Sequence, residues 1–327
     1  MRRDGLPRMV IARLLQLPLI LLAIYTLTFM LVWIIPGNPL EKPEGRRPPV
    51  EIVDAMQARY NLDDPLVFYG DYLSGVSGLD WVLGDREGPV IDFGPSLRHE
   101  NWTVNEILAA QLPVSILLGL AAIGLAFFIG VGAGVLGALR PGSLLDLGSL
   151  LLALVGISLP AFVIGTVLLV VFAVHLGWFP VGGWGEPGHV VLPALALSLP
   201  FAAYMARLTR SGMLEELQSD HVRTARAKGM PEYTVVLKHA LKNALLPVLS
   251  YLGPATAAAM TGSFVVEKVF AVPGVGTHFV DAVLGKDITL ILAVVLVYST
   301  MLVLLNLCVD VLYRWIDPRI DADGLAA

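Results

Sequence analysis

The side chains that most often carry chemistry lie scattered along this sequence, without the spacing that a catalytic or metal site needs. No two of the six histidines stand at metal-ligand spacing on one helix, and no HExxH, CxxC or GxSxG motif occurs. A GxxxxGKS/T phosphate-binding loop is also absent, so the chain should not bind ATP by that route. We therefore predict a protein without catalytic residues, metal ligands or a cofactor of its own, which is not an enzyme.

One segment does combine residue types and spacing into a site that could bind a partner. Residues 207–243, which we name the basic loop, carry seven Lys and Arg side chains. Asp220 can cap the start of a helix over residues 221–228, Gly229 can cap its end, and Pro231 stops it from continuing. This helix of about two turns mixes small side chains, which let another protein approach the backbone, with basic ones that can pair with acids. Two interpretations stay open: a docking surface for a partner protein, and an interfacial helix whose Arg and Lys side chains reach the headgroups.

The composition places the chain in a membrane. Of the 327 residues, 56% are hydrophobic and 15% are charged, and the mean hydropathy is +0.74. Soluble domains have about 45–50% apolar and about 25% charged residues, so an ordinary cytosolic enzyme is excluded, and so is a disordered chain. The net charge of −5 gives no basic excess that would suggest a nucleic-acid partner. The single cysteine, Cys308, cannot form an internal disulfide and is expected to pack as a small apolar side chain.

Six apolar runs are each long enough to cross a bilayer, which takes about 20 residues in a helix. They cover residues 15–35, 113–139, 147–174, 190–206, 245–266 and 288–312. These runs are too long and too uniformly apolar for the strands of a β-barrel. We therefore predict an all-α polytopic membrane protein with six transmembrane helices. Its parts in order are an N-terminal tail (1–14), the first span (15–35), an inter-span segment (36–112), a five-span core (113–314) that carries the basic loop (207–243), and a C-terminal tail (315–327).

The positive charges next to the spans predict which side of the membrane each loop occupies. Lys and Arg lie in the N-terminal tail, in the turn at Arg140, in the basic loop and in the C-terminal tail, and six spans put all four on one side. Both termini and the basic loop should therefore be cytoplasmic, and the acid-rich inter-span segment should lie outside. The first run has no small-residue cleavage site and is expected to remain as a span. For the inter-span segment we favour a small cap on the outer membrane surface over a docking or gating element for an outside partner.

Charged residues are almost absent from the predicted spans, which argues against a carrier coupled to protons or ions. Glu267 and Asp310 lie near predicted span ends and are expected at the membrane interface. The uncharged polar residues of the spans are expected to form helix–helix hydrogen bonds. The sequence assigns none of them to a transport pathway.

Residues 223–229 of the basic loop, together with residues 239–247, resemble the EAA loop of ABC-importer permeases. The version is that of the dipeptide/oligopeptide (peptide/nickel) family, in which Arg223 and Thr224 stand in place of Glu and Ala, and Lys242 in place of Pro. Further segments resemble the same family over nearly the whole chain. They are residues 36–39 (PGNP), 61–66 (NLDDPL), 92–97 (DFGPSL), 158–162 (SLPAF), 176–183 (LGWFPVGG), 267–276 (EKVFAVPGVG) and 317–319 (DPR). The long inter-span segment is similar to the B-type permease of a pair and not to the C-type.

The resemblance implies a type I ABC-importer permease fold, and a subunit that forms half of a translocation pathway without chemistry of its own. A separate dimer of ATP-binding subunits would bind and hydrolyse ATP, a second homologous permease subunit would complete the pathway, and an extracytoplasmic solute-binding protein would deliver the substrate. The implied ATPase-coupling residues are Arg223, Thr224, Ala225, Arg226, Ala227, Lys228 and Gly229. Di- or oligopeptides are the expected substrate, with nickel, glutathione or other small solutes as alternatives in the same family. The expected location is the inner membrane of a bacterium or archaeon.

Two other classes of function are alternatives to this interpretation. A self-contained channel or carrier for a small solute would need its own gating or coupling residues. An intramembrane enzyme would need paired Asp, a Ser–His pair or a His cluster within its spans. The sequence offers neither set of residues, and the capped basic loop favours the permease.

Overall fold

A computed structural model describes residues 5–35, 57, 61–84, 88–99, 102–261 and 264–316. Within these residues the secondary structure is helical, apart from one isolated antiparallel bridge between Pro95 and Thr103. The helices are α1 (Gly5–Ile34), α2 (Pro65–Ser77), α3 (Leu79–Leu83), α4 (Val104–Leu139), α5 (Leu144–Ser158), α6 (Ala161–His175), α7 (Pro187–Glu216), α8 (Asp220–Ala227), α9 (Glu232–Ala244), α10 (Leu246–Thr261), α11 (Phe264–Val269), α12 (Val275–Gly285) and α13 (Ile288–Ile316). Helices α6 and α9 contain π-helical stretches at Leu169–His175 and Val235–Ala240.

Four of the described helices are long and apolar enough to cross a membrane. They are Met9–Ile34 within α1, α4, α7, and Ile288–Val311 within α13. Two bent pairs raise the number to six if each pair is one span: α5 meets α6 at 111°, and α9 meets the helical stretch Leu246–Val269 at 53°. The prediction of an all-α polytopic membrane protein is confirmed, and the predicted span over residues 147–174 is broken near its middle.

Pro160 causes the break between α5 and α6. Leu159, the residue before it, is extended with φ −96° and ψ 131°, as expected of a residue that precedes proline. Because proline has no N–H to donate, α5 cannot continue through it. The chain starts a new helix at Ala161, and Val163 N then donates to the Pro160 carbonyl at 3.0 Å.

The contacts divide the chain into two compact units. The first comprises Met1–Ile11, Ser115–Pro273 and Leu302–Ala327, and the second comprises Ala12–Val114 and Gly274–Met301. The first unit therefore contains most of the predicted five-span core, including the basic loop. The second unit contains the described part of the inter-span segment together with most of α1.

Close approach of helix backbones holds the first unit together. On α4, Gly130 and Gly134 lie one turn apart and face α7. A Cβ added at either glycine would lie only 2.6 Å from a carbonyl oxygen of α7, that of Ala202 or Ala206. Helices in a membrane gain little from the hydrophobic effect, so they associate through short-range packing that small residues make possible.

Aromatic rings join α1 to α2 in the second unit. The rings that contact one another are Tyr25, Phe29 and Trp33 of α1 and Phe68, Tyr69 and Tyr72 of α2. Tyr25 also donates through its hydroxyl to the Tyr69 carbonyl at 2.9 Å. Helix α2, which belongs to the inter-span segment, thus packs an aromatic face against α1.

A buried carboxylate fixes the start of α13 in the same unit. Asp287 is fully buried and accepts hydrogen bonds from Leu290 N (3.3 Å) and Thr289 Oγ1 (2.9 Å), so it caps the helix. The same carboxylate accepts from Leu97 N (3.2 Å) and from the Ser96 hydroxyl. Arg98 N is a fifth donor at 3.3 Å. The helix N-terminus and these donors together stabilise a charge that would otherwise be costly to bury.

Two expectations about single residues are wrong about what covers the side chain. Glu267, expected to reach a membrane interface, has a fully buried side chain, to which the Ser115 hydroxyl donates at 2.8 Å. Cys308 is exposed and not packed, because it lies one turn after the exposed Leu304 on the same side of α13. Both errors arise because sequence position along a helix does not reveal which face its neighbours cover.

Valine at Gly130 is predicted to destabilise the first unit, since a Cβ there would lie 2.6 Å from the Ala202 carbonyl oxygen and 2.8 Å from Met205 Cβ. Overpacking of this kind costs about 1–3 kcal/mol. Valine at Gly132 is the matched control, because a Cβ there meets nothing within 4 Å and the change in helix propensity is the same. Thermal unfolding in mild detergent measures both variants. Equal melting temperatures for the two variants would contradict the close contact between α4 and α7.

Candidate functional site

The helix that the sequence predicts in the basic loop is present as α8, and it begins one residue earlier than expected. Its N-cap is Ser219, whose backbone is extended (φ −68°, ψ 154°) and whose carbonyl accepts from Arg223 N at 3.0 Å. The Ser219 hydroxyl donates to the Glu216 carbonyl of α7 at 2.6 Å, which joins α8 to the preceding helix. The prediction that Asp220 is the cap is wrong. Asp220 lies in the first turn, where a carboxylate is favoured by the positive end of the helix dipole.

Gly229 ends α8, as predicted, because it adopts a left-handed backbone conformation with φ +73°. Gly229 N donates to the Arg226 carbonyl (2.9 Å) and Met230 N donates to the Ala225 carbonyl (3.4 Å). These are the two hydrogen bonds of a Schellman motif. A Cβ at Gly229 would meet no atom within 4 Å, so the space beside this turn is open.

One face of α8 belongs to a hydrophobic core of the basic loop. Val222 and Ala225, three residues apart on the helix, are 0% and 4% exposed. They pack in a cluster, which we name the loop cluster, with buried side chains of α4, α7 and α9. Its other buried members are Ala138, Met213, Val235, Val236, Ala240 and Ala244. Ala225, one of the seven coupling residues that the resemblance implies, therefore points into this chain and anchors the helix.

The other six implied coupling residues lie on the exposed face of α8 and on its C-terminal turn. They are Arg223, Thr224, Arg226, Ala227, Lys228 and Gly229. Arg223 lies 3.7 Å from Asp220 with both side chains exposed, which makes a weak ion pair. Within the described residues, no carboxylate pairs with Lys228. The exposed face thus presents cationic side chains beside short ones.

Arg226 ties α8 to both neighbouring helices. Its guanidinium donates to the two carboxylate oxygens of Glu232 in α9 (2.6 and 3.2 Å) and to the Leu217 carbonyl after α7 (3.3 Å). The hydrogen bonds with Glu232 raise the pKa of Arg226, so this group stays charged at physiological pH. Partly exposed pairs stabilise a fold by only about 0–1 kcal/mol, so the main effect of this pair is to fix the direction of α8.

A second polar contact lies at the start of α8. Glu216, the last residue of α7, has its Oε2 atom 3.2 Å from His221 Nε2, and the same oxygen accepts from Asn243 Nδ2 of α9 at 3.3 Å. Helices α7, α8 and α9 therefore meet at Glu216, at Arg226 and in the loop cluster. These three contacts attach the exposed face of α8 to two longer helices.

Comparison with models of protein families shows which family the chain belongs to. The family model described as binding-protein-dependent transport system inner membrane component matches residues 110–322, which include the whole basic loop. The chain belongs to this family. The model of the N-terminal part of this membrane component matches residues 6–119. The two matches together cover almost the whole permease.

Curated relatives align with the permease over nearly its full length. The dipeptide transport system permease protein DppB of Bacillus subtilis (strain 168) is 41% identical over 314 residues, which are 96% of this chain and 97% of the relative. The oligopeptide transport system permease protein OppB of Haemophilus influenzae is 39% identical over 315 residues, 96% of this chain and 99% of the relative. OppB of Escherichia coli (strain K12) is 40% identical over 304 residues, 92% and 94% of the two chains. The permease is therefore a subunit of an ABC importer and an integral protein of the inner membrane.

Two solved structures of ABC transporters share the fold. A chain of the inward-facing MetNI methionine ABC transporter superposes on the permease with a TM-score of 0.53 and 19% identity, over 64% of the permease and 96% of that chain. A chain of an amino acid ABC transporter with histidines superposes with a TM-score of 0.51 and 15% identity, over 64% and 94% of the two chains. These likenesses concern the fold alone.

Sequence reasoning located the exposed face of α8 but not the residues that hold it in place. Glu216 and Glu232 lie outside the segment that resembles the EAA loop, and each pairs with a residue of another helix. The spacing of Val222 and Ala225, both apolar and three residues apart, was the available signal for the buried face. No local pattern in the permease sequence marks the two glutamates.

Proposed function

We propose that this permease is one of two membrane subunits of an ATP-driven importer of dipeptides or oligopeptides. The observation that carries the proposal is the 39–41% identity to proteins named dipeptide and oligopeptide transport permeases, over more than nine-tenths of each chain. The long inter-span segment and the EAA-like segment with Arg223 and Thr224 agree with a B-type subunit of that group.

Three kinds of partner belong to the proposal. Two ATP-binding subunits would supply ATP hydrolysis, because this sequence contains no phosphate-binding loop of its own. A second homologous permease subunit would complete the pathway, and an extracytoplasmic solute-binding protein would deliver the peptide. The permease itself would hold no cofactor and catalyse no reaction.

The exposed face of α8 is the proposed contact with an ATP-binding subunit. An acidic groove could approach the backbone closely at Ala227 and Gly229 and form charge-assisted hydrogen bonds with Arg223 and Lys228. Because Arg226, Glu216 and the loop cluster attach α8 to α7 and α9, a displacement of α8 would move these two helices as well. These contacts and the resemblance of residues 223–229 to the EAA loop support a role of α8 in coupling.

Leucine at Gly229 is predicted to uncouple ATP hydrolysis from transport, because it places a large side chain at the proposed closest approach to the ATP-binding subunit. We expect uptake by the complete complex in proteoliposomes to fall about tenfold, equivalent to a loss of roughly 1.4 kcal/mol. Insertion of the complex should be unaffected, and its melting temperature should fall no further than that of the control variant. ATP-driven uptake and ATPase activity are measured side by side.

Leucine at Gly142 is the matched control for this experiment. Gly142 has φ +77°, close to the +73° of Gly229, and a Cβ there also meets nothing within 4 Å. Both variants therefore carry a similar left-handed backbone strain of about 1–2 kcal/mol, but only Gly229 lies on the proposed interface. Equal losses in both variants, or full transport with Gly229→Leu, would refute the coupling role of α8.

The proposed orientation puts both termini and the basic loop in the cytoplasm and the inter-span segment outside, on the strength of the Lys and Arg distribution. Cys308 is the single cysteine of the sequence, so Cys308→Ser gives a thiol-free background. On that background, Leu83→Cys should react with a membrane-impermeant maleimide in intact spheroplasts, and Lys228→Cys only after permeabilisation. Both positions are exposed. The opposite labelling pattern would reverse the orientation.

The substrate is tested with the complex purified in mild detergent and reconstituted with its solute-binding protein. We expect a second permease and two ATP-binding subunits to copurify, and a labelled di- or tetrapeptide to accumulate only when ATP is supplied. Accumulation of Ni²⁺ or glutathione without peptide uptake would contradict the proposed peptide substrate, but it would still support an ATP-driven importer. A chain that purifies alone and still transports would instead establish a self-contained carrier.

A further inference from the structure

Two tyrosines and an arginine form a polar cluster, which we name the Tyr–Arg cluster, among the apolar helices of the first unit. Tyr204 and Arg207 lie on α7, and Tyr251 lies on α10. The ring centroids of the two tyrosines are 4.4 Å apart, and the guanidinium carbon of Arg207 is 5.3 Å from the centre of the Tyr204 ring. Both tyrosines are half-buried and Arg207 is exposed. The cluster therefore offers a guanidinium and two phenol hydroxyls at one place on the surface of the unit.

Arg207 differs from the next arginine on the same helix in its lack of a carboxylate partner. Arg210 donates twice to Asp146, at 2.6 and 2.9 Å. Within the described part of the chain, Arg207 contacts the Tyr204 ring and no acid, and neither tyrosine hydroxyl is hydrogen-bonded. A guanidinium that stacks on a ring keeps its N–H donors available for an anion.

The surface of α10 next to the cluster is unlike a surface that faces lipid. The exposed residues of α10 are Pro247, Ser250, Pro254 and Ala258. None of them is a large apolar side chain. By contrast, α1 exposes Ile11, Leu14, Leu15, Leu19, Ile20, Leu22, Leu27, Met30, Leu31 and Ile34. Polar and charged side chains within membrane bundles face protein interiors or water-filled cavities, so this face of α10 fits a pathway and not the acyl chains.

We propose that the Tyr–Arg cluster lies on the translocation pathway and binds the C-terminal carboxylate of the peptide in transit. The inference rests on the proposed function of the permease in peptide import and names one specificity contact for it. A carboxylate fits because it can accept two hydrogen bonds from Arg207 and others from the hydroxyls of Tyr204 and Tyr251. Conduction requires sites that bind a substrate and still release it, and a half-exposed cluster of three side chains meets that need.

The test compares one tripeptide with its C-terminal amide in the complete reconstituted complex. Arg207→Gln should lower uptake of the free acid about tenfold, the scale of one charge-assisted hydrogen bond, and leave uptake of the amide unchanged. Tyr251→Phe should give a smaller loss for the acid. The solute-binding protein is the same in every arm, so its own preference cancels in the ratio of variant to wild type.

A second measurement removes the dependence on delivery. Direct binding of both peptides to the detergent-solubilised complex is measured without solute-binding protein. In Arg207→Gln, the acid should bind about tenfold more weakly than in the wild type, with an affinity equal to that of the amide. Arg140→Gln is the matched control, because Arg140 is also an exposed arginine and lies in the turn between α4 and α5. Arg140→Gln should leave the binding of both peptides unchanged.

Four results would overturn the proposal. Equal losses for acid and amide would give Arg207 a structural role, and no loss would give it none in transport. A loss that appears only in liposomes containing phosphatidylglycerol, and not in phosphatidylcholine alone, would assign the cluster to an anionic lipid headgroup. The absence of any peptide uptake by the wild-type complex would defeat the proposed function itself, and this inference with it, so the wild-type arm separates the two failures.

Discussion

Helix α7 meets the other helices of the first unit at backbone distance, and this close packing is the constraint on which the unit depends. Gly134 of α4 and Gly156 of α5 would place a Cβ 2.6 and 2.7 Å from carbonyl oxygens of α7. Gly212 of α7 itself would place one 2.9 Å from the Ala244 carbonyl of α9. In hydrocarbon no hydrophobic force draws helices together, so their association depends on short-range dispersion that only small residues allow. A larger side chain at any of these glycines would push α4, α5 or α9 away from α7.

An ion pair between α5 and α7 orients α7 within this packing. Asp146, at the start of α5, accepts from Gly142 N at 2.9 Å and from both arms of the Arg210 guanidinium on α7. Asp146 is buried and Arg210 is one-quarter exposed. Removing one partner would leave the other charge without compensation, and the partial exposure of Arg210 lowers the cost of that loss. The pair therefore fixes the rotation of α7 about its axis, which glycine contacts alone do not.

The sequence was most informative where a single stretch of backbone decides the outcome. The apolar runs predicted the membrane helices, and Gly229 predicted the end of α8, because helix length and a left-handed turn are local properties. The cap at Ser219 in place of Asp220 is a shift of one residue that competing local signals produce. The burial of Glu267 and the pairing of Arg226 with Glu232, by contrast, depend on which elements meet in space. No spacing in the sequence encodes those meetings, so the exposed half of the candidate site was predictable and its supports were not.

The continuity of α7 connects the proposed coupling face to the Tyr–Arg cluster. Arg207 and Glu216 stand on the same unbroken helix, about 14 Å apart at 1.5 Å per residue, and Glu216 contacts His221 at the start of α8. Tyr204 moves with α7, whereas its partner ring, Tyr251, belongs to α10. A displacement of α8 that reaches α7 would therefore change the distance between the two rings and the position of Arg207 relative to Tyr251. Linkage is reciprocal: if nucleotide-driven motion of α8 alters the affinity of the cluster for a carboxylate, then a bound carboxylate alters the equilibrium of that motion by the same factor. In the proposed complex, this arrangement would give a transported peptide a physical means of stimulating the ATP-binding subunits.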